Sequence, residues 1–142
     1  MGGLQREISG FFSGGLMRRI LPILLIVFLT GCTVGEFVIT DAKLCKEIKN
    51  GEPYGVATNF SEAETVYCWI EYKNAPENTA MRAVWYYEGE KMYEREIKLK
   101  TASGKVWFSM YSTEKMLPHG SYRVEIYVND ELRKEMDFSI TR

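Results

Sequence analysis

From Phe37 to the C-terminus the chain reads as short runs of alternating apolar and polar residues, separated by turn chemistry. In "SYRVEIYV" (121–128), Tyr122, Val124, Ile126 and Val128 fall on one side, with Arg123, Glu125 and Tyr127 on the other. In "ELRKEMDFSI" (131–140), Leu132, Met136, Phe138 and Ile140 oppose Arg133, Glu135, Asp137 and Ser139. A period of two marks a strand with one packed and one solvated face. The same reading predicts strands over 37–48, 64–73, 80–88, 91–100 and 105–112. Residues 50–55 and 74–79 are expected to be loops, because Gly, Pro and Asn crowd there. Gly89-Glu90 and Asn129-Asp130 are expected to close two tight hairpins. No stretch of this region has a helical period. About seven short strands at regular spacing predict an all-β fold, an antiparallel β-sandwich.

Two details narrow the sandwich. Trp85, on the third expected strand, resembles the core tryptophan of immunoglobulin-like domains. Leu117, Gly120 and Tyr122 resemble a tyrosine corner, in which a phenol bonds back to loop backbone. Val124 occupies the place of the second inter-sheet cysteine, so that bridge is not expected. A narrower resemblance covers about residues 42–140. The order of "LC", "EPYG", "VYCWIE", "VWYYEG", "VWFSMYS" and "YRVEIY" is similar to an uncharacterised family of exported or membrane-tethered bacterial domains. The resemblance implies the fold, an exported setting and pairing of early cysteines, and carries no activity. Ala83 and Phe108 stand where that family tends to carry His and Arg.

The N-terminal part has a different pattern. Ile20–Leu29 is an unbroken apolar run, preceded by Met17-Arg18-Arg19 and followed by Thr30-Gly31-Cys32. A membrane span needs about 20 apolar residues, whereas a signal-peptide core needs roughly 7–15. Leu29-Thr30-Gly31-Cys32 resembles the lipobox of bacterial lipoproteins. That resemblance implies cleavage before Cys32 and acylation of its sulfur. The expected organisation is an N-terminal extension and lipoprotein signal peptide over 1–31, a lipidated tether over 32–36 and the immunoglobulin-like β-sandwich over 37–142. Residues 1–16 carry five glycines and no periodicity, and Met17 is read as the natural start. The expected location is the cell envelope, lipid-anchored to a bacterial membrane and facing the periplasm or exterior.

Charge and cysteine count then limit the chemistry. Removing residues 1–31 takes away Arg6, Arg18, Arg19 and Glu7 from 18 basic and 19 acidic residues, leaving a net charge of −3. No basic excess is available to neutralise phosphates, so nucleic acid is not an expected partner. With Cys32 assigned to lipid, Cys45 and Cys68 remain. Outside the cytosol they are expected to form a disulfide, the alternative being two buried thiols packed as small hydrophobes.

No enzyme signature accompanies these features. His119, the lone histidine, lies in the turn sequence Leu-Pro-His-Gly without a nucleophile motif. Glu94 and Glu96 sit on one strand face and read as solvated. Asn129, Asp130 and Glu131 are too short a loop to wrap a cation. No metal or cofactor is expected. Arg82, Tyr86, Arg123 and Tyr127 are the candidate binding face: if Trp85 and Val124 point inward, these four point outward from neighbouring strands, and tyrosine with arginine is the composition of recognition surfaces. The function that follows is a non-enzymatic binding or adaptor module for an envelope protein or glycan. The alternative is a structural or accessory subunit with no small ligand.

Overall fold

A computed structural model describes residues 35–113 and 115–142. The expected signal peptide, Cys32 and most of the tether lie outside them. Residues Glu36–Arg142 form one compact unit. Its described residues form ten strands: β1 (Val38–Cys45), β2 (Glu47–Lys49), β3 (Glu52–Tyr54), β4 (Asn59–Ser61), β5 (Thr65–Lys73), β6 (Ala80–Tyr87), β7 (Glu90–Lys98), β8 (Gly104–Tyr111), β9 (Gly120–Val128) and β10 (Glu131–Thr141).

Two sheets form the sandwich. One has the order β1-β5-β8, the other β4-β10-β9-β6-β7, and β2-β3 is a separate hairpin. All pairs are antiparallel except β4 with β10. Alternating residues of both sheets meet in one core. Leu44, Val66, Cys68, Ile70, Phe108 and Met110 come from the first sheet. Phe60, Met81, Trp85, Val124, Ile126, Phe138 and Ile140 come from the second. Trp85 is fully buried and meets Phe138 edge-on, with ring centroids 6.1 Å apart.

Hydrogen bonds lock the loops onto this frame. The Tyr122 hydroxyl donates to the Pro118 carbonyl at 2.6 Å, which completes the expected tyrosine corner. Burial pushes the Tyr122 phenol up to about 12. Asn129 and Asp130 both have positive φ (48° and 69°) and turn β9 into β10 as expected.

Four expectations need correction. The turn between β6 and β7 is Glu88-Gly89, with φ 50° and 85°, and Glu90 already belongs to β7. The expected first strand stops at Cys45. Residues 47–54, read in part as a loop, are the β2–β3 hairpin, turning on Asn50-Gly51 with φ 52° and 77°. A register shift between Leu132 and Lys134 moves Leu132 out of the core set. Leu132 pairs with Tyr127 and is 44% exposed. One further short strand, β4, went unread.

Candidate functional site

The outer face of the five-stranded sheet collects the four candidate residues. Register places Arg82 opposite Tyr127 and Tyr86 opposite Arg123 across β6 and β9. Cross-strand partners share a face, and Met81, Ala83 and Trp85 fill the inner one. Arg82 stacks on the Tyr127 ring with its guanidinium carbon 4.5 Å from the centroid. One of its terminal nitrogens lies 3.6 Å from Asp130, while its Nε is buried without a hydrogen-bond partner. Leu132 joins this group through its pairing with Tyr127.

Glu125 is the hub that the sequence reading missed. It lies opposite Val84, between the two tyrosines, and its side chain is 13% exposed. The Tyr127 hydroxyl donates to Glu125 at 2.8 Å, and this bond raises the Tyr127 phenol above its ordinary range. The Tyr86 phenol is raised too, first by burial and then by Glu125. Arg123 sits among three carboxylates, with Asp137 at 3.0 Å, Glu135 at 3.7 Å and Glu125 at 3.8 Å. The guanidinium is thereby held further above its ordinary range, Asp137 contributing most. Beside Arg123 an open hollow of about 290 Å³ is lined by Tyr86, Ser121, Glu125 and Asp137. Val84, on the same outward row, is only 4% exposed, between its cross-strand partners Glu94 and Glu125.

The remaining candidates are separate from this face. Glu94 pairs with Lys91, and Glu96 is exposed on edge strand β7. His119 Nε2 meets Glu62 Oε1 at 2.5 Å in an exposed pair. Among the described residues no His, Cys, Asp and Glu side chains cluster in threes as a metal site would require. A second, more apolar hollow of about 270 Å³ lies between β7 and β8, lined by Met92, Tyr93, Ser109, Met110, Tyr111 and Thr113.

Cys45 and Cys68 are both buried and both free, without the expected bridge. Register explains this. Leu44, not Cys45, lies opposite Cys68, and Cys45 lies opposite Tyr67. The two thiols therefore leave the β1–β5 pair on opposite faces. Cys68 enters the core, where burial pushes its thiol up. Cys45 turns to the hairpin; burial raises its thiol while the backbone of Tyr54 and Glu47 hydrogen-bonds to it.

No protein-family model and no curated protein matches the sequence. The narrower family resemblance thus has no counterpart there. Solved structures do match. An immunoglobulin-like protein from Pseudomonas aeruginosa shares 15% identity, with 77% of this chain and 99% of that one covered and a TM-score of 0.56. An alkylpurine DNA glycosylase from Pseudomonas fluorescens, solved on DNA containing an abasic site analogue, shares 16% identity with a TM-score of 0.50. The alignment covers 88% of this chain and 38% of the glycosylase. At these identities the likeness concerns fold alone. With the sheet order, the buried Trp85 and the tyrosine corner, it defines the described unit as an immunoglobulin-like β-sandwich.

Proposed function

We propose that this chain is a lipid-anchored envelope protein whose immunoglobulin-like domain is a non-enzymatic binding module for a protein or glycan. The observation that carries the binding role is the Arg82–Tyr127 and Tyr86–Arg123 pairing in register on one sheet face. Aromatic rings beside guanidinium groups offer contact area and directional donors. Glu125 and Asp137 hold these side chains in place before a partner arrives, which lowers the ordering cost of association. The lipid anchor rests on the sequence order of positive flank, apolar run and Cys32. The net charge of −3 and the carboxylates around Arg123 argue against nucleic acid; the DNA in the comparison belongs to the glycosylase.

A second reading has its own support. Arg123 is already ion-paired within the chain by three carboxylates, as on an accessory subunit that binds no small ligand. One experiment separates the two. The lipidated protein is cross-linked in cells and its partners recovered, beside a Tyr86→Ala plus Tyr127→Ala variant and a Cys32→Ser variant. Binding through this face means that the tyrosine variant loses the partner while its unfolding temperature falls by less than about 5 °C. Unchanged recovery removes the face from the proposal and leaves the hollow between β7 and β8. Cys32→Ser is expected to leave the membrane fraction or to remain uncut; an unmodified Cys32 in the mature protein, read by mass spectrometry, ends the lipoprotein reading.

A further inference from the structure

The strand directions give the sandwich two unlike ends. β1, β6, β8 and β10 begin, and β5, β7 and β9 finish, at the end that bears residues 74–79, residues 99–103 and the Asn129-Asp130 turn. Backbone bonds from Ala75 to Ala102 and from Leu99 to Thr79 clasp two of these loops together. The opposite end bears Glu62, Glu88, Gly89, His119 and the C-terminus.

The chain enters the domain at the first end, and the entry is fixed. Asn74 Nδ2 donates to the Glu36 carbonyl at 3.2 Å. Arg133 Nη1 donates to the Phe37 carbonyl at 3.3 Å, and the Phe37 ring stacks on Tyr72 with centroids 6.0 Å apart. β1 then runs away toward the other end. Four peptide links separate Cys32 from Glu36, a reach of at most about 14 Å even when fully extended. A strand of nine residues such as β9 spans about 30 Å, so the far end stands beyond that reach. The near end also carries exposed Lys73, Lys98 and Lys100, none with an ion pair among the described residues, against the unpaired carboxylates of Glu36 and Glu77. Unpaired lysines close to a bilayer are attracted to anionic headgroups.

We propose that the end formed by residues 74–79, 99–103 and 129–130 rests against lipid headgroups, and that the end bearing Glu62, Glu88 and His119 points away from the membrane. This deepens the lipid-anchor reading and rests on it. The strands then stand off the bilayer, and the tyrosine–arginine face looks sideways, open to a partner in the same membrane or beside it.

The test uses the full lipidated protein in vesicles of phosphatidylethanolamine and phosphatidylglycerol carrying a nitroxide on some headgroups. A fluorophore is placed singly through Glu77→Cys or Ser103→Cys at the near end and Glu64→Cys or Glu90→Cys at the far end. Cys45 and Cys68 are fully buried and do not compete for label in the native state. The expected result is severalfold stronger quenching at both near positions than at both far ones. Equal or reversed quenching in protein that floats with the vesicles overturns the orientation. Protein that does not float, with no lipid mass on Cys32, overturns the anchor itself.

Discussion

The two outer faces of the sandwich solve the same problem by different means. Each has a large or apolar side chain on the row that strand alternation assigns to water. On the three-stranded sheet it is Trp69, paired in register with Trp107. Trp69 is 3% exposed while Trp107 is 43% exposed, because the β2–β3 hairpin folds over only one of them. The Trp69 indole donates to the Gly51 carbonyl at 2.8 Å, and Lys43 and Lys105 lie over its ring at 5.9 and 6.0 Å. On the five-stranded sheet the apolar residue is Val84. Arg82, Tyr86, Glu125 and Glu94 flank it on its own and the neighbouring strands. A roof of backbone can be removed only by unfolding a hairpin. A roof of side chains can be rearranged by rotation about single bonds, which is the property the proposed binding role would use.

The largest effect should come from the closed face. Trp69→Ala is expected to cost about 3 kcal/mol in urea unfolding, on the scale of a core aromatic rather than a surface ring. A loss within the range of ordinary surface substitutions would show that the hairpin does not close over it.

Next comes the loop anchor. Tyr122→Phe removes the bond to Pro118 and should cost about 1.5 kcal/mol. It should also change the alkaline limb of stability. The phenol is raised from 10.0 to about 12, so its contribution is complete below pH 10 and is lost as pH rises from 10 to about 12. The wild type should weaken across that window, and Tyr122→Phe should weaken less. Cys45, Cys68, Tyr86, Tyr127 and Lys105 are raised as well and contribute to the fall that remains. Parallel pH profiles would remove Tyr122 from this account.

Gly51→Ala tests the roof at its tip. Nothing lies within 4 Å of the added Cβ, so the cost comes only from φ +77° and should be about 1 kcal/mol. A neutral result would mean that the Asn50-Gly51 turn is not held in this conformation in solution.

The smallest change is expected from Arg82→Met. Its Nε has no partner and Asp130 stands at 3.6 Å, so stability should shift by less than ~0.5 kcal/mol, while partner recovery falls. A large loss of stability would make the side-chain roof as structural as the hairpin and erase the contrast between the faces.

What the sequence revealed follows from where each signal resides. Asn129-Asp130 was legible because residues tolerant of positive φ sit between two long alternating strands. Asn50-Gly51 carries an equally good turn signal, yet its flanks, Glu47–Lys49 and Glu52–Tyr54, are three residues each and too short to show a period. Their stability comes from covering Trp69, a contact between residues far apart in sequence. Leu132 was misplaced because one register shift at Arg133 reverses its side of the sheet. The four outward residues were recoverable from parity alone. The role of Glu125 was not, since a glutamate on a wet row looks the same whether it is solvated or holds two phenols. The missing bridge was also hidden, because spacing brings Cys45 and Cys68 to adjacent strands without telling which faces they take.

The parallel pairing of β4 with β10 has a consequence for time rather than for structure. Ile140 meets Phe60, about eighty residues earlier, and both are core residues. The five-stranded sheet therefore stays open along one edge until β10 is present. Such distant pairing carries a large closure entropy before any contact is rewarded, and places the domain among folders on the order of milliseconds to seconds. Until β10 is in place Phe60 and the inner face of β9 lack their partners, so closure of this core waits on a strand about eighty residues beyond β4.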